Sequence, residues 1–193
     1  HDHIDNGTFV MNLGGIRWAI DLGQEPFSYQ TPNPALVAGY DGYYYYRRKG
    51  EGHNIVVINP DDKLEMLQDQ FAEVSKPVSG IGRAYSTIDL SASYEDVNSY
   101  KRGYLLSEGR RAFTVRDEID LKESSELYWF MHTKGEIIIV DNNTALINQD
   151  GKQLKVQFIT DAAESELTVM AAEKLPQSPK FTETANTGVS KLT

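Results

Sequence analysis

Cysteine is absent from this 193-residue chain, which excludes disulfide bridges and every thiolate metal site. Long apolar runs are absent too: nothing approaches about 18 consecutive apolar residues, so no helical membrane span is expected. No basic segment is followed by an apolar one, and any targeting leader is expected upstream of His1. Positive charge is scarce. Nineteen Lys and Arg against twenty-eight Asp and Glu give a formal net charge of −9, the wrong sign for a nucleic-acid binder. Histidine is scarcer still, at four: His1, His3, His53 and His132. Strands never alternate with long helical patterns, which argues against a parallel α/β sheet.

What is present is the periodicity of strands. "GTFVMNL" (7–13) and "IRWAIDL" (16–22) flank Gly14-Gly15 and read as a hairpin. Further strands are expected at 54–59, 69–74, 83–90, 100–107, 111–118, 126–133, 136–140, 144–149, 152–159 and 165–170, separated by polar turns. The fold class that follows is all-β: an antiparallel sandwich of roughly twelve strands in one domain over 1–193. Residues 176–193 read as a polar tail or the start of a last strand. One long loop is expected at 24–52, and loops of that length are uncommon unless functional or disordered.

Candidate chemistry gathers at strand ends. "HDHIDNGTF" (1–9) opens the chain with two histidines and two carboxylates within five residues. In extended chain, positions i and i+2 share a face, so His1 and His3 would lie side by side. Asp21 closes the apolar strand "WAID", and His53 precedes "NIVVIN". Two imidazoles, one carboxylate and a water make an accepted zinc shell. Their spacing matches no short metal signature, and each residue has an ordinary alternative. His3 would then be an exposed terminal residue, Asp21 a turn carboxylate and His53 a loop histidine. "YYYYRR" (43–48) has two readings: a half-buried strand, or a rim in which Tyr46, Arg47 and Arg48 bind a sugar and its carboxylate. Lys101-Arg102 and Arg110-Arg111 read as solvated strand and turn charges, "VRDE" (115–118) as structural ion pairs, and His132 as a core or interface histidine.

"HDHIDNGTFVMNLGGIRWAIDLG" followed by "EGHNIVVINP" resembles the HxHxDxGsF, RWAxDxG and HNTLxIN segments of the heparinase II/III family of polysaccharide lyases. "STIDLSASY", "YKRGYLL" and "GRRAFTVRDEI" sit where that family has similar segments, and Ile55 departs from its usual threonine. The resemblance implies a C-terminal β-sandwich whose N-terminal (α/α) toroid lies outside this chain, so that the sequence begins inside a motif. It implies one zinc, read as structural, held by His3, Asp21 and His53; Asp5 has two readings, orienting a ligand imidazole or serving as a turn or capping carboxylate. His1 would face the cleft between the domains as a catalytic residue, and the catalytic tyrosine would belong to the toroid. The implied substrate is an acidic, uronic acid-containing polysaccharide, heparin- or heparan sulfate-like or alginate-like, cleaved by β-elimination in the periplasm or outside the cell. This chain alone is expected to bind zinc and lack turnover. The alternative reading is a noncatalytic carbohydrate-binding or structural sandwich module. A freestanding zinc hydrolase has no general base near the ligands to recommend it.

Overall fold

A computed structural model describes residues 3–25, 43–61, 63–67, 69–180 and 182–193. Among these residues there are fifteen strands, two 3-10 turns and no α-helix. In chain order the strands are β1 (Met11–Leu13), β2 (Ile16–Ala19), β3 (Val56–Ile58), β4 (Glu73–Val74) and β5 (Val78–Ser79). Then come β6 (Ala84–Asp89), β7 (Val97–Ser107), β8 (Ala112–Leu121), β9 (Leu127–Trp129) and β10 (Met131–Thr133). The last five are β11 (Glu136–Asp141), β12 (Thr144–Gln149), β13 (Lys152–Gln157), β14 (Val169–Ala171) and β15 (Ser190–Leu192). Every pairing is antiparallel, the all-β sandwich expected from the periodicity.

Local chemistry accounts for most boundaries. Leu13 pairs with Ile16 across Gly14-Gly15, whose φ of 61° and 82° make the tight turn that two left-handed residues allow. The three strands beyond the expected twelve have separate causes. β5 is a two-residue pairing onto β6, too short to carry a periodic signal. β15 is the last strand foreshadowed in the tail. The expected strand 126–133 divides at Phe130, which is fully buried and donates its N–H to Ile55 O (3.0 Å). β9 pairs with β3 before that point and β10 pairs with β15 after it.

The largest sheet runs β4-β6-β7-β8, with β5 also on β6. One buried cluster under it joins Ile4, Ile55, Val56, Ile88, Leu90, Tyr94 and Tyr100. A second joins Phe9, Trp18, Ala19, Met131, Ala145, Ile147 and Leu192. Each buried Val, Leu, Ile, Met or Phe among them contributes about 1.5–3 kcal/mol. These clusters therefore hold β2 and β3, beside which Asp21 and His53 stand, and through Ile4 the irregular segment that carries His3. Of the expected long loop, 26–42 lies outside the described residues. The remainder is turns over 43–49 and a 3-10 turn, Gly50–Gly52.

Candidate metal centre

Three chain segments meet at the site, and each is pinned by its own hydrogen bonds. The first is residues 3–8. Ile4 is buried and its N–H donates to Arg48 O (2.8 Å), which holds His3 and Asp5 on either side of a fixed point. The second is the end of β2, where Ile20 N–H donates to His132 O (2.9 Å). The third is the turn before His53. There Lys49 Nζ lies 2.7 Å from Glu65 Oε1 and 3.3 Å from Glu51 Oε1, all three side chains being buried. Gly52 is required in that turn: a Cβ would stand 1.9 Å from Tyr46 O.

Asn54 binds the segments together. Its Nδ2 donates to Phe9 O (2.7 Å) and Ile20 O (2.9 Å), while its Oδ1 accepts His132 N–H at 2.7 Å. The neighbouring residue His53 is therefore held against the residue after Ile20. His53 Nδ1 lies 3.1 Å from Asp21 Oδ2, and Asp21 Oδ1 accepts Gly23 N–H at 2.7 Å. The His3 and His53 rings stand 5.2 Å apart, centroid to centroid, with planes tilted by 47°. One ligand atom from each of His3, Asp5 and His53 falls within 4.8 Å of the others. His53 is 2% exposed, and among the described residues its buried Nε2 has no hydrogen-bond partner.

The electrostatics suit cation binding. The hydrogen bond from His53 holds the Asp21 carboxyl down at about 2, overcoming its partial burial. Burial, followed by the neighbouring His53, lowers the His3 pKa and so favours the neutral imidazole that ligation needs. Burial raises the Asp5 pKa, opposed by the two histidines. A buried imidazole nitrogen with nothing to bond is unfavourable, and a cation relieves it. Two imidazoles beside two carboxylates form a donor set that fits zinc.

Of the residues singled out in the sequence, His3, Asp21, His53 and Asp5 are brought together, and His1 lies outside the described residues. Tyr46 is 1% exposed and its hydroxyl lies 2.7 Å from His132 Nε2, so its ring lies in the interior. Arg48 is also buried, its guanidinium 5.4 Å from the centre of the Tyr43 ring. Arg47 is half-buried and donates to Asn186 Oδ1 (2.9 Å).

Arg102 is no solvated strand charge. It is fully buried, paired to Asp117 (2.6 and 3.0 Å), and its Nη1 donates to Gly7 O and Asn54 O, both at 2.9 Å. Sequence reasoning missed Asn54, Arg102 and His132 as supports of the site. For Arg102 a signal existed: Tyr100, Arg102 and Tyr104 share one face of β7, between aromatic neighbours and opposite an acidic strand. Asn54 carried no such signal beyond its place beside His53.

No curated protein matches the chain. A family model described as "Heparinase II/III-like, C-terminal" matches residues 1–188, almost the whole length, and the chain belongs to that family.

Proposed function

We propose that this chain is the zinc-holding β-sandwich of a polysaccharide lyase that cleaves a uronic acid polymer by β-elimination. The observation that carries the reading is the buried Nε2 of His53, unpartnered among the described residues, beside His3 and with Asp5 and Asp21 close by. Family membership supplies the reaction class.

Such a reaction needs a neutraliser for the uronate carboxylate, a base for the C5 proton and an acid for the leaving oxygen. His1, next to Asp2 and His3, is proposed as the catalytic group this chain contributes, facing a helical toroid domain that brings the catalytic tyrosine. Arg47, with Tyr46 and Arg48 behind it, is the proposed substrate-side segment; Arg47 is the member with solvent access. Zinc, when bound, supplies a crosslink between strand ends and no reacting group. His3, His53 and a carboxylate hold it, and the first residues of the chain are thereby set beside the cleft.

Two assignments of the carboxylate share these residues. The resemblance names Asp21, and the 3.1 Å between Asp21 Oδ2 and His53 Nδ1 suits two ligands of one ion. The orphaned Nε2 favours the other: Nε2, His3 and Asp5 face the ion, while Asp21 accepts Nδ1–H and fixes the ring. A heparan sulfate-like or an alginate-like polymer fits either assignment, in the periplasm or outside the cell. Among the described residues no helix is long and apolar enough to cross a membrane.

Elemental analysis of the purified chain tests the reading. One zinc per chain and no release of unsaturated uronate by the chain alone are expected. A metal-free chain that binds sugars normally would instead establish a noncatalytic module. Turnover by the chain alone would overturn the division of labour between the domains.

A further inference from the structure

One end of the largest sheet is basic. The segment "SKPVSGIGRAYSTI" (75–88) contains Lys76 and Arg83 and no carboxylate, and the turn "EGRR" (108–111) adds Arg110 and Arg111 against Glu108. The sheet brings these together. Ser79 pairs with Ala84 and Ala84 with Leu106, while Ser107 pairs with Ala112, so the β5–β6 and β7–β8 turns share one end of the largest sheet. Arg110 Nη2 confirms the contact by donating to Ser79 Oγ and Gly80 O, both at 2.9 Å.

The cations there are exposed, and none of the four has a carboxylate partner among the described residues. Lys49, Arg102, Arg116 and Lys174 each stand within ion-pair distance of a carboxylate. Lys101, Lys134 and Lys152 are exposed without one among the described residues, so what marks this sheet end is that its cations are gathered together. An aromatic ring sits among them. Tyr85 is 42% exposed with the Arg83 guanidinium 5.8 Å from its ring centre. Its row of the sheet continues outward through Leu105 and Thr114, a surface without acids. The place is separate from the metal centre. From Arg102, which binds the carbonyls of Gly7 and Asn54, β7 runs five residues to Ser107, about 17 Å.

We infer that Arg83, Tyr85, Arg110 and Arg111 form a second binding surface for an anionic polysaccharide, away from the metal centre. Guanidinium groups take carboxylate or sulfate oxygens in pairs, and an exposed tyrosine ring takes the apolar face of a sugar. A cluster of cations in a chain of net charge −9 also gives a polyanion a place to land. The choice of ligand class rests on the lyase reading above; the surface itself does not. Its work is to hold the polymer while another stretch occupies the cleft, which raises the local concentration of substrate.

Binding of the chain to heparin, to alginate and to double-stranded DNA, each over a salt series, tests the proposal. Arg83→Glu with Arg111→Glu leaves the Arg110 contacts in place; Tyr85→Ala is the second variant, and thermal melting checks that both fold. The dissociation constant for heparin or alginate should rise roughly tenfold in the double variant, with a weaker salt dependence. Its zinc content should be unchanged, and His3→Ala should bind the polymer as the unaltered chain does. Equal binding by the arginine double variant, by Tyr85→Ala and by the unaltered chain overturns the surface. So does failure of the unaltered chain to bind either polysaccharide, or equally tight binding of DNA. Loss of zinc from the unaltered chain, with arginine-dependent polymer binding intact, sinks the metal reading and leaves the surface standing.

Discussion

Asp5 and Asp21 lie on opposite sides of His53's role, and single substitutions separate them. If Nε2 faces the ion, Asp5→Asn removes a ligand and weakens zinc binding by roughly a hundredfold or more, while Asp21→Asn weakens it about tenfold by freeing the ring. The reverse order, read by competition with a chelating dye, assigns Asp21 as the ligand. His132 makes a second prediction. Its Nδ1 faces Asn54 Oδ1 and its Nε2 faces the Tyr46 hydroxyl, so the ring is neutral, with Nδ1 donating. Burial, then Lys191, drives its pKa down to about 3. The unfolded chain therefore takes up this proton first, below about pH 6.5, and stability contributed by the neutral ring is lost as pH falls from there toward 3. His132→Gln should flatten the fall in unfolding free energy between pH 6.5 and 4.5 by about 1.4 kcal/mol per pH unit, measured by denaturant titration. His132 was legible as a core histidine from its strand "YWFMHT", because apolar neighbours bury it; its partners were not, since Tyr46 is far away in sequence.

At the scale of elements, β7 and β8 do more than form a sheet. Arg102 on β7 and Asp117 on β8 are direct cross-strand partners, and Tyr100 donates its hydroxyl to the same carboxylate at 2.8 Å. The free corner of the guanidinium reaches Gly7 and Asn54, clamping the sheet to the two segments that bear His3, Asp5 and His53. Arg102→Met leaves Asp117 without its cation and Asn54 O without this donor, while Gly7 O keeps the Tyr104 hydroxyl. It should destabilise the fold by about 3–5 kcal/mol in urea titration and also weaken zinc binding. Retained zinc affinity in a folded Arg102→Met protein would show that the clamp serves stability alone. Strand positions were legible because alternation and turn residues act over a few residues. Gly14-Gly15, Asp141-Asn142-Asn143 and Asp150-Gly151 each sit between strands that do pair. Partner exchange at Phe130 was not legible, because it depends on which neighbour Ile55 O offers.

For the whole molecule, the metal is expected to act as a staple. It would tie residues 3–5, the end of β2 and the turn before His53, three places joined otherwise by Asn54 and Arg102. A ligand bound only by the folded state stabilises by mass action, about 2.7 kcal/mol at a hundredfold excess over its dissociation constant. Chelation with EDTA should therefore lower the melting temperature by several degrees, added zinc should restore it, and His53→Ala should respond to neither. Calorimetry with and without chelator decides it. An unchanged Tm on chelation would mean that the preformed network holds the site unaided.

The amino-acid sequence by itself determined the all-β class, most of the strands and turns, and the four residues His3, Asp5, Asp21 and His53 as the chemistry to watch. Those follow from short-range periodicity, and from a motif whose residues are written in the chain. Only the tertiary structure decided that Arg102 and Tyr46 point inward, that His53 keeps one nitrogen unpartnered, and that Arg83 meets Arg110 at a sheet end. Burial and pairing between distant residues are set by which surfaces pack together, and no local pattern encodes that.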